Sequence, residues 1–406
     1  MCSKRKYTII ECCDILNNLR IPINDEIRQT MQGNIPYYGA NGVQGYIDKY
    51  IFDEDLILLA EDGGNFEEYH TKPIAYKISG KSWVNNHAHI LRAKQDFNQN
   101  YIFYSLVHKN ITKYLNSGTR SKLNRSELEK IEIDFPETKG EEDKIADILS
   151  TCDAVIEKTQ AAIAKYKLIK QGMLHDLFTR GIDIQTGKLR PRYKDAPELY
   201  KESKLGWIPK EWECEMLSSV IEIISGGTPS TQIKEYWGGE IPWLSVDDFN
   251  TGNRYASKAA KKITEEGLKN SATNMLLPGM LIISARGTVG VIAQMKAPMA
   301  FNQSCYGLNT VNEYLSNDFL YYYQTFFIRF IGFKSYGSVF DVITKSSFDE
   351  VFIPINKKSD EQRMIVEKLT AIDTNLQSEQ SYLEKMQQLK KGLMEDLLSG
   401  KKRVKV

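Results

Sequence analysis

Loops rich in Gly, Asn, Ser, Thr and aromatic residues, with an occasional Arg or Lys, recur in both halves of the chain. Such side chains suit nucleic acid, since Asn and Gln pair with adenine edges, Arg pairs with guanine, and hydroxyl and backbone N–H groups bind phosphates. Ordinary turn formation explains the same composition at any single position, so the interpretation rests on the whole set. The candidate DNA contacts are Tyr37, Tyr38, Asn41, Asn65, Asn85, Asn86, Arg120, Ser121, Lys122 and Arg125 in the first half, and Thr228, Ser230, Trp243, Ser245, Arg286, Thr288, Asn302, Gln303 and Ser338 in the second.

Catalytic and metal-binding motifs are missing from the sequence. It contains no Walker loop, no G-x-S-x-G turn, no H-E-x-x-H and no dinucleotide-binding glycine motif. His87 and His89 alternate on a predicted strand, and a metal pair there is the alternative to a structural role. The six cysteines form no C-x-x-C pair, which favours reduced thiols over disulfides. We therefore expect no catalytic residues, no metal and no cofactor on this chain.

Composition and charge are those of an ordinary globular protein. A chain of 406 residues with 42% hydrophobic residues suits two or more packed domains. The most apolar stretches, residues 56–60 and 280–285, are far shorter than the roughly 20 residues of a membrane helix, and the N-terminus lacks a secretory pattern. We expect a cytoplasmic protein with no membrane contact. The net charge of +1 by itself argues against a DNA-binding protein.

A long internal repeat organises the chain. Residues 141–181 align with residues 361–401 without a gap. A repeat of this length indicates that a structural unit has been duplicated. Identical pairs include Ile145 and Ile365, Leu149 and Leu369, Asp153 and Asp373, Lys170 and Lys390, and Asp176 and Asp396.

Apolar residues in each copy alternate at heptad spacing, which predicts a long helix packed along a partner helix. Both copies interrupt the pattern at the same places, Thr159 with Glu379 and Lys170 with Lys390. At 1.5 Å per residue each helix would be about 60 Å long. The pattern leaves parallel and antiparallel pairing open, and two unrelated amphipathic helices are the less favoured alternative. The predicted seam residues are Ile145, Leu149, Cys152, Ile156, Ile163, Tyr166, Met173, Leu177, Ile365, Leu369, Ile372, Leu376, Leu383, Met386, Leu393 and Leu397.

The segments that precede the two helices also repeat, with loops of different length. Runs of β-branched and aromatic residues bounded by Gly, Asn and Asp predict strands, with short helices between them. The predicted fold class is therefore α/β (α+β), with two pseudo-repeated mixed domains and two long helices. Residues 182–212 are polar and lack periodicity, which predicts a connector. The matched segments are 33–42 with 239–248, 56–66 with 281–291, 85–92 with 301–308 and 118–136 with 337–355.

Several motifs together resemble a known family. They are the helix ends KQGMLHDLFTRG and KKGLMEDLLSG, the connector TGKLRPRYKDAPELYKESKLGWIPKEWE, and SGGTPSTQIKEYWGGEIPWLSVDDF at the start of the second block. With the order of the blocks, they resemble the specificity subunit of type I restriction-modification enzymes over essentially the whole chain. The resemblance implies two target recognition domains that each read one half of a split DNA sequence, held apart by an antiparallel coiled-coil helix pair.

The resemblance also implies partners and domain boundaries. Such a subunit has no catalytic activity, binds double-stranded DNA and two methyltransferase subunits, and is joined by two restriction/motor subunits. S-adenosylmethionine, ATP and Mg are expected on those partner subunits and not on this chain. The alternative, supported by the neutral charge, is a coiled-coil scaffold or adaptor that does not bind DNA. The predicted domains are recognition domain 1 at 1–140, helix 1 at 141–181, the connector at 182–206, recognition domain 2 at 207–356, helix 2 at 357–400 and a basic tail at 401–406.

Overall fold

The computed structural model describes residues 5–116, 121–327 and 342–405. Contacts divide the chain into two compact units. Unit 1 comprises the chain up to Ala162 together with the chain from Glu379 onward, and unit 2 comprises Ile163–Ser378. Both boundaries fall inside long helices, so each long helix contributes to both units. The candidate contacts Arg120 and Ser338 lie outside the described residues.

Unit 1 is a mixed α/β domain followed by a long helix. Its elements are β1 Arg5–Thr8, α1 Ile9–Cys12, β2 Cys13–Ile15, α2 Asp25–Thr30, β3 Gln32–Gly39, β4 Gly42–Ile47, β5 Phe52–Asp53, β6 Leu56–Ala60, β7 Ala75–Ile78, β8 Lys81–Val84, β9 Ala88–Ala93, α3 Gln99–Leu106, α4 Arg125–Leu128, β10 Glu132–Phe135 and α5 Lys139–Arg180, which continues into unit 2.

The described strands of unit 1 form two four-stranded sheets and one separate pair. The order β2–β9–β6–β7 is antiparallel throughout, whereas β3 and β8 run parallel within the order β4–β3–β8–β5. Strand β1 pairs with β10. Helix α3 is buried along most of its length, as expected for an apolar helix enclosed by neighbouring elements. One hydrophobic cluster joins α3 and β6 to Ile145 and Leu149 of α5.

Unit 2 begins within α5 and repeats this arrangement. Its further elements are β11 Tyr200–Ser203, β12 Gly206–Pro209, β13 Glu213–Met216, α6 Leu217–Val220, β14 Ile221–Ser225, β15 Trp237–Leu244, α7 Val246–Phe249, β16 Tyr255–Ala256, β17 Lys261–Ile263, α8 Glu265–Lys269, β18 Met275–Leu276, β19 Leu281–Ser284, β20 Ile292–Met295, β21 Met299–Phe301, β22 Cys305–Thr310, α9 Asn317–Phe326, β23 Phe352–Ile355 and α10 Ser359–Leu398, which continues into unit 1.

Three sheets of unit 2 correspond to the three sheets of unit 1. Strand β13 pairs with β23 as β1 pairs with β10, and β14–β22–β19–β20 has the order of β2–β9–β6–β7, with β16 added at its edge. The parallel pair β15 and β21 corresponds to β3 and β8. The matched sequence segments therefore fold alike, and the prediction of two mixed α/β domains of one kind is confirmed.

The two long helices run antiparallel in each unit. In unit 1, Leu149 shares a hydrophobic cluster with Leu397, and Asp153 contacts Lys390, so residue numbers rise along α5 as they fall along α10. In unit 2, Lys170 contacts Asp373 in the same sense. This direction, which the seam pattern left open, agrees with the family resemblance.

The structure buries most of the predicted seam residues. Thr159, where the apolar pattern breaks, is also buried and donates its hydroxyl hydrogen to the backbone oxygen of Val155 at 2.8 Å. Leu174 and Phe178, which the seam pattern omits, are buried in the core of unit 2. Buried seam residues are Ile145, Leu149, Cys152, Ile163, Leu177, Ile365, Leu369, Ile372, Leu376 and Leu397, and half-buried ones are Ile156, Tyr166, Met173, Leu383, Met386 and Leu393.

The segment predicted to be a connector has its own structure. Strands β11 and β12 form a hairpin within it, and the rings of Tyr193 and Trp207 stack with centroids 4.2 Å apart. Trp212 is 1% exposed at the point where the second domain begins. Along the described residues, no helix is both long enough and apolar enough to cross a membrane.

Candidate nucleic-acid interface

Four polar segments of unit 1 meet at one end of its sheets. They are the turn after β3, the loop after β6, the loop before β9 and the short segment that contains Lys122. Backbone hydrogen bonds join them: Asn85 donates to Tyr38 at 2.9 Å, Glu61 donates to His87 at 2.8 Å, and Leu123 donates to Glu61 at 2.8 Å. We call residues 39–41, 61–65, 85–87 and 121–123 loop cluster 1.

Unit 2 repeats these hydrogen bonds at the corresponding places. Asn302 donates to Leu244 at 3.0 Å, Ala285 donates to Ser304 at 2.8 Å, and Ile343 donates to Ala285 at 2.8 Å. We call residues 245–247, 285–290, 302–304 and 342–343 loop cluster 2. The two clusters therefore share one backbone scaffold, although the loops differ in length and in side chains.

Side-chain hydrogen bonds strengthen loop cluster 1 and add a further loop to loop cluster 2. Asn41 donates from Nδ2 to the backbone oxygen of Gly63 at 2.8 Å, which ties the β3–β4 turn to the loop after β6. Thr228 hydrogen-bonds to the side chain of Gln303, which brings the loop after β14 to loop cluster 2. These contacts bring most of the predicted polar residues of each domain to one end of that domain.

The candidates differ in their exposure to solvent. Arg125 pairs with Glu129 of its own helical turn at 2.9 Å, and no described contact links its side chain to loop cluster 1. Exposed candidates are Asn41, Asn86, Lys122, Arg125, Thr228, Ser230, Arg286, Thr288 and Gln303, and half-buried ones are Tyr38, Asn65, Ser121, Ser245 and Asn302.

Three candidates are corrected by the structure. Tyr37, Asn85 and Trp243 are buried, at 2%, 4% and 6% exposure. Tyr37 packs in a small core, and Trp243 donates from Nε1 to the backbone oxygen of Gly227 at 3.0 Å. Asn85 donates from Nδ2 to the Gln44 side chain and accepts from the backbone N–H of His87. Their side chains hold the loops in place and do not face solvent, where a base edge would be met.

A charge network that the sequence reading missed holds loop cluster 1. Arg20 donates to Glu61 at 2.6 Å, and Lys122 lies 3.2 Å from the other oxygen of the same carboxylate. Burial would raise the pKa of Glu61, but the hydrogen bonds and charges of Arg20, Lys122 and nearby His89 hold that pKa below its usual value. Glu61 is thus held ionised, and its contacts with Arg20 and Lys122 fix the start of the loop that follows β6.

The metal pair at His87 and His89, which was the alternative to a structural role, is not assembled. Burial lowers the pKa of His89, whose ring nitrogens hydrogen-bond Asn17 at 2.8 Å and the backbone oxygen of Leu123 at 2.8 Å. His87 instead pairs with Asp62 at 2.8 Å. His89 therefore has a structural role, and the described residues contain no cluster of three or more His, Cys, Asp or Glu side chains suited to a metal.

Each domain is fastened to the helix pair by a matched cluster of three side chains. In unit 1 the Tyr104 hydroxyl donates to Asp153 at 2.5 Å, and Lys390 contacts the same carboxylate at 2.5 Å. In unit 2 Tyr322 donates to Asp373 at 2.9 Å, and Lys170 contacts Asp373 at 2.5 Å. Burial raises the pKa of both tyrosines, so both hydroxyls remain donors. These clusters explain why both apolar seams are interrupted by a lysine, Lys170 in α5 and Lys390 in α10. The identical Asp and Lys pairs in the sequence repeat were the signal that could have indicated these clusters.

A second matched pair of contacts involves the acidic residues at the helix starts. Glu361 is fully buried and accepts hydrogen bonds from Arg190, from Trp212 Nε1 at 2.9 Å and from Asn356 Nδ2 at 2.6 Å. The aligned Glu141 accepts from Arg403 at 2.6 Å. Glu361 thus ties the connector and the second domain to α10.

Comparison with known proteins identifies the fold and its family. The family model described as the type I restriction modification DNA specificity domain matches residues 4–165 and 209–388. The chain is 24% identical over 403 residues to the type I restriction enzyme MjaVIII specificity subunit of Methanocaldococcus jannaschii. This match covers 93% of this chain and 88% of that protein. It is 31% identical over 167 residues to the MjaIX specificity subunit of the same organism, a match that spans 41% of this chain and only 39% of that relative.

A solved structure has the same fold. The type I restriction-modification S subunit from M. genitalium superposes with a TM-score of 0.66 over 98% of this chain and 96% of that chain, at 15% sequence identity.

Proposed function

The chain belongs to the type I restriction modification DNA specificity family, and we propose that it reads a split DNA target for a modification complex. Each loop cluster reads one half of the target, and the chain itself carries out no catalytic step. The observation that supports this most strongly is the duplicated loop scaffold. The same three backbone hydrogen bonds hold loops whose side chains differ between the units, which suits two readers of two different sequences.

The helix pair links the two readers in this proposal. Helix α5 contributes to both units and carries one residue of each domain attachment, Asp153 in unit 1 and Lys170 in unit 2. A rigid pair of this kind would set a fixed spacer between the half-sites. Two methyltransferase subunits would dock on its outward faces, and two restriction/motor subunits would join them. Exposed residues on those faces are Glu157, Lys158, Lys165, Lys167, Gln377, Ser378, Glu384 and Gln388.

The near-neutral charge fits a division of labour among subunits. With a net charge of +1, the chain supplies little overall attraction for phosphates. Methyltransferase subunits that close around the duplex would supply that attraction, which leaves the base contacts to this chain. S-adenosylmethionine, ATP and Mg would then be bound by the partner subunits.

A scaffold that binds no DNA is the competing proposal. It accounts for the helix pair and for the neutral charge. It gives no reason for two polar loop clusters that have the same backbone hydrogen bonds and different side chains. We therefore favour DNA recognition.

The test is to co-express the chain with a type I methyltransferase subunit from its own genome and map adenine methylation by single-molecule sequencing. We expect one motif with two defined halves and a fixed gap. The methyltransferase subunit expressed without this chain is the control and should give no such motif. Equal methylation of unrelated DNA by the complex, or stable co-purification without any methylated motif, would refute DNA recognition.

A further inference from the structure

We propose that Asp62 and Arg286, which occupy the same position of the duplicated loop scaffold, each read a base of the target and make the two half-sites different. The inference rests on the proposed function, because it assumes that both loop clusters face DNA. It specifies which residues discriminate between DNA bases and which chemical group each residue selects. Asp62 selects a base that carries an exocyclic amino group, and Arg286 selects guanine.

The equivalence of the two positions follows from the backbone. Asp62 follows Glu61, whose N–H donates to His87 and whose carbonyl accepts from Leu123. Arg286 follows Ala285, which makes the same two bonds with Ser304 and Ile343. Each position also forms an isolated antiparallel bridge, Asp62 to Lys122 and Arg286 to Val342, and these two partners lie at corresponding places in their own units. The same backbone site therefore carries an acidic side chain in unit 1 and a basic side chain in unit 2.

Asp62 is held as a hydrogen-bond acceptor at the edge of loop cluster 1. Its Oδ1 lies 2.8 Å from Nδ1 of His87, and the two side chains are 20% and 45% exposed. No described residue hydrogen-bonds Oδ2. A carboxylate accepts hydrogen bonds and donates none when ionised. In the major groove, the donors it can meet are the exocyclic amino groups of cytosine and adenine.

Arg286 has the opposite chemistry in loop cluster 2. Its side chain is exposed, and within the described residues no ion pair or side-chain hydrogen bond holds its guanidinium. Gly287 follows with a φ of 73°, a left-handed conformation that lets the chain turn immediately after Arg286. The planar guanidinium fork matches O6 and N7 of guanine, the acceptor pair that the other bases lack in the major groove.

The sign reversal points to base reading and not to phosphate binding. A phosphate contact would favour a positive side chain in both units, because the DNA backbone is negative everywhere. An acidic side chain at position 62 would be repelled by phosphates. It can therefore assist binding only by accepting a hydrogen bond from a nucleobase. The nearby Lys122 is already paired with Glu61 at 3.2 Å. Its positive charge therefore does not cancel the negative charge of Asp62.

The test uses complexes of the full chain with its methyltransferase subunit, acting on a DNA library randomised in one half-site at a time. Arg286→Ala should lose the preference for guanine at one position of one half-site, by about 5- to 140-fold, which is about 1 to 3 kcal/mol at 1.4 kcal/mol per tenfold. Asp62→Asn should relax one position of the other half-site. In each variant the opposite half-site and the spacer should be unchanged.

Matched variants separate reading from charge and from folding. Lys258→Ala removes one exposed positive charge from unit 2 outside loop cluster 2 and should leave every base preference intact. Arg286→Lys keeps the charge but loses the fork, so it should recover only part of the guanine preference. Thermal melting of each complex verifies that the fold is retained.

The outcomes are distinguishable. If the wild-type complex methylates no split motif, the proposed function fails and this inference fails with it. If the wild type shows a split motif and the Arg286 and Asp62 variants show the same one, this inference fails while the proposed function stands. If Arg286→Ala lowers methylation of all sequences by the same factor, Arg286 contacts phosphate and the assignment is overturned.

Discussion

Replacement of Glu361 by Gln should cost unit 2 several kcal/mol of stability, whereas the same change at the aligned Glu141 should cost unit 1 little. Glu361 has no exposed side-chain surface, and its main partner Arg190 is 10% exposed. The carboxylate accepts from Arg190, from two further side chains and from the backbone N–H of Ile182 at 2.7 Å. A glutamine at this position would offer one oxygen acceptor and turn an N–H₂ group toward donors.

The magnitude follows from what is left unpaired. Breaking a buried ion pair by removing one partner costs about 3 to 5 kcal/mol, because the remaining charge is buried without compensation. Here the remaining charge is that of Arg190, whose other carboxylate neighbour, Glu211, lies 3.7 Å away and is 53% exposed, so it compensates that charge only weakly. Glu141 pairs with Arg403, whose side chain is 45% exposed and can be solvated by water. Loss of a pair with one partner in solvent costs about 0 to 1 kcal/mol.

Urea denaturation followed by tryptophan fluorescence measures the difference. Trp212 is buried and donates its Nε1 hydrogen to Glu361, so its emission reports on this site. Circular dichroism of both variants follows the helices in parallel. Equal losses of stability in Glu361→Gln and Glu141→Gln, or a loss below about 1 kcal/mol for Glu361→Gln, would refute the account of a buried and weakly compensated arginine.

Three further predictions concern the helix pair. A double-mutant cycle with Asp153→Asn and Lys390→Met should give a coupling of about 1 kcal/mol that shrinks in high salt, because the two side chains are 34% and 23% exposed; zero coupling at low salt would contradict the contact. Leu149→Asp and Leu369→Asp each place a charge at a fully buried seam position and should cost several kcal/mol, so an unchanged melting temperature would argue against the seam. The hydrogen bond from its arginine partner holds the pKa of Glu141 below the ordinary value of 4.5, so its stabilisation is present above that pH and is lost as the pH falls through the lowered pKa. Melting temperatures between about pH 2 and pH 7 should therefore fall more steeply in acid for the wild type than for Glu141→Gln.

The sequence alone determined the duplicated design. The alignment of 141–181 with 361–401 and the heptad spacing predicted two long helices, because helical periodicity is local and is repeated along the chain. The strand runs in front of each helix predicted two mixed domains of one kind, since strand patterning is also local. The identical Asp and Lys pairs were visible in the sequence, but their role was not.

Tertiary structure decided everything that depends on distant residues. The antiparallel direction follows from which residues meet, as Asp153 meets Lys390. Tyr37 and Trp243 have the composition of exposed recognition residues, yet they are buried because the packing of neighbouring strands sets which face of each strand is covered. Arg20 was missed because its partner Glu61 lies far away in the sequence. The equivalence of Asp62 and Arg286 was also hidden, because the sequence match of 56–66 with 281–291 pairs Arg286 with Glu61. Only the hydrogen bonds of the folded backbone shift that register by one residue and place Arg286 opposite Asp62.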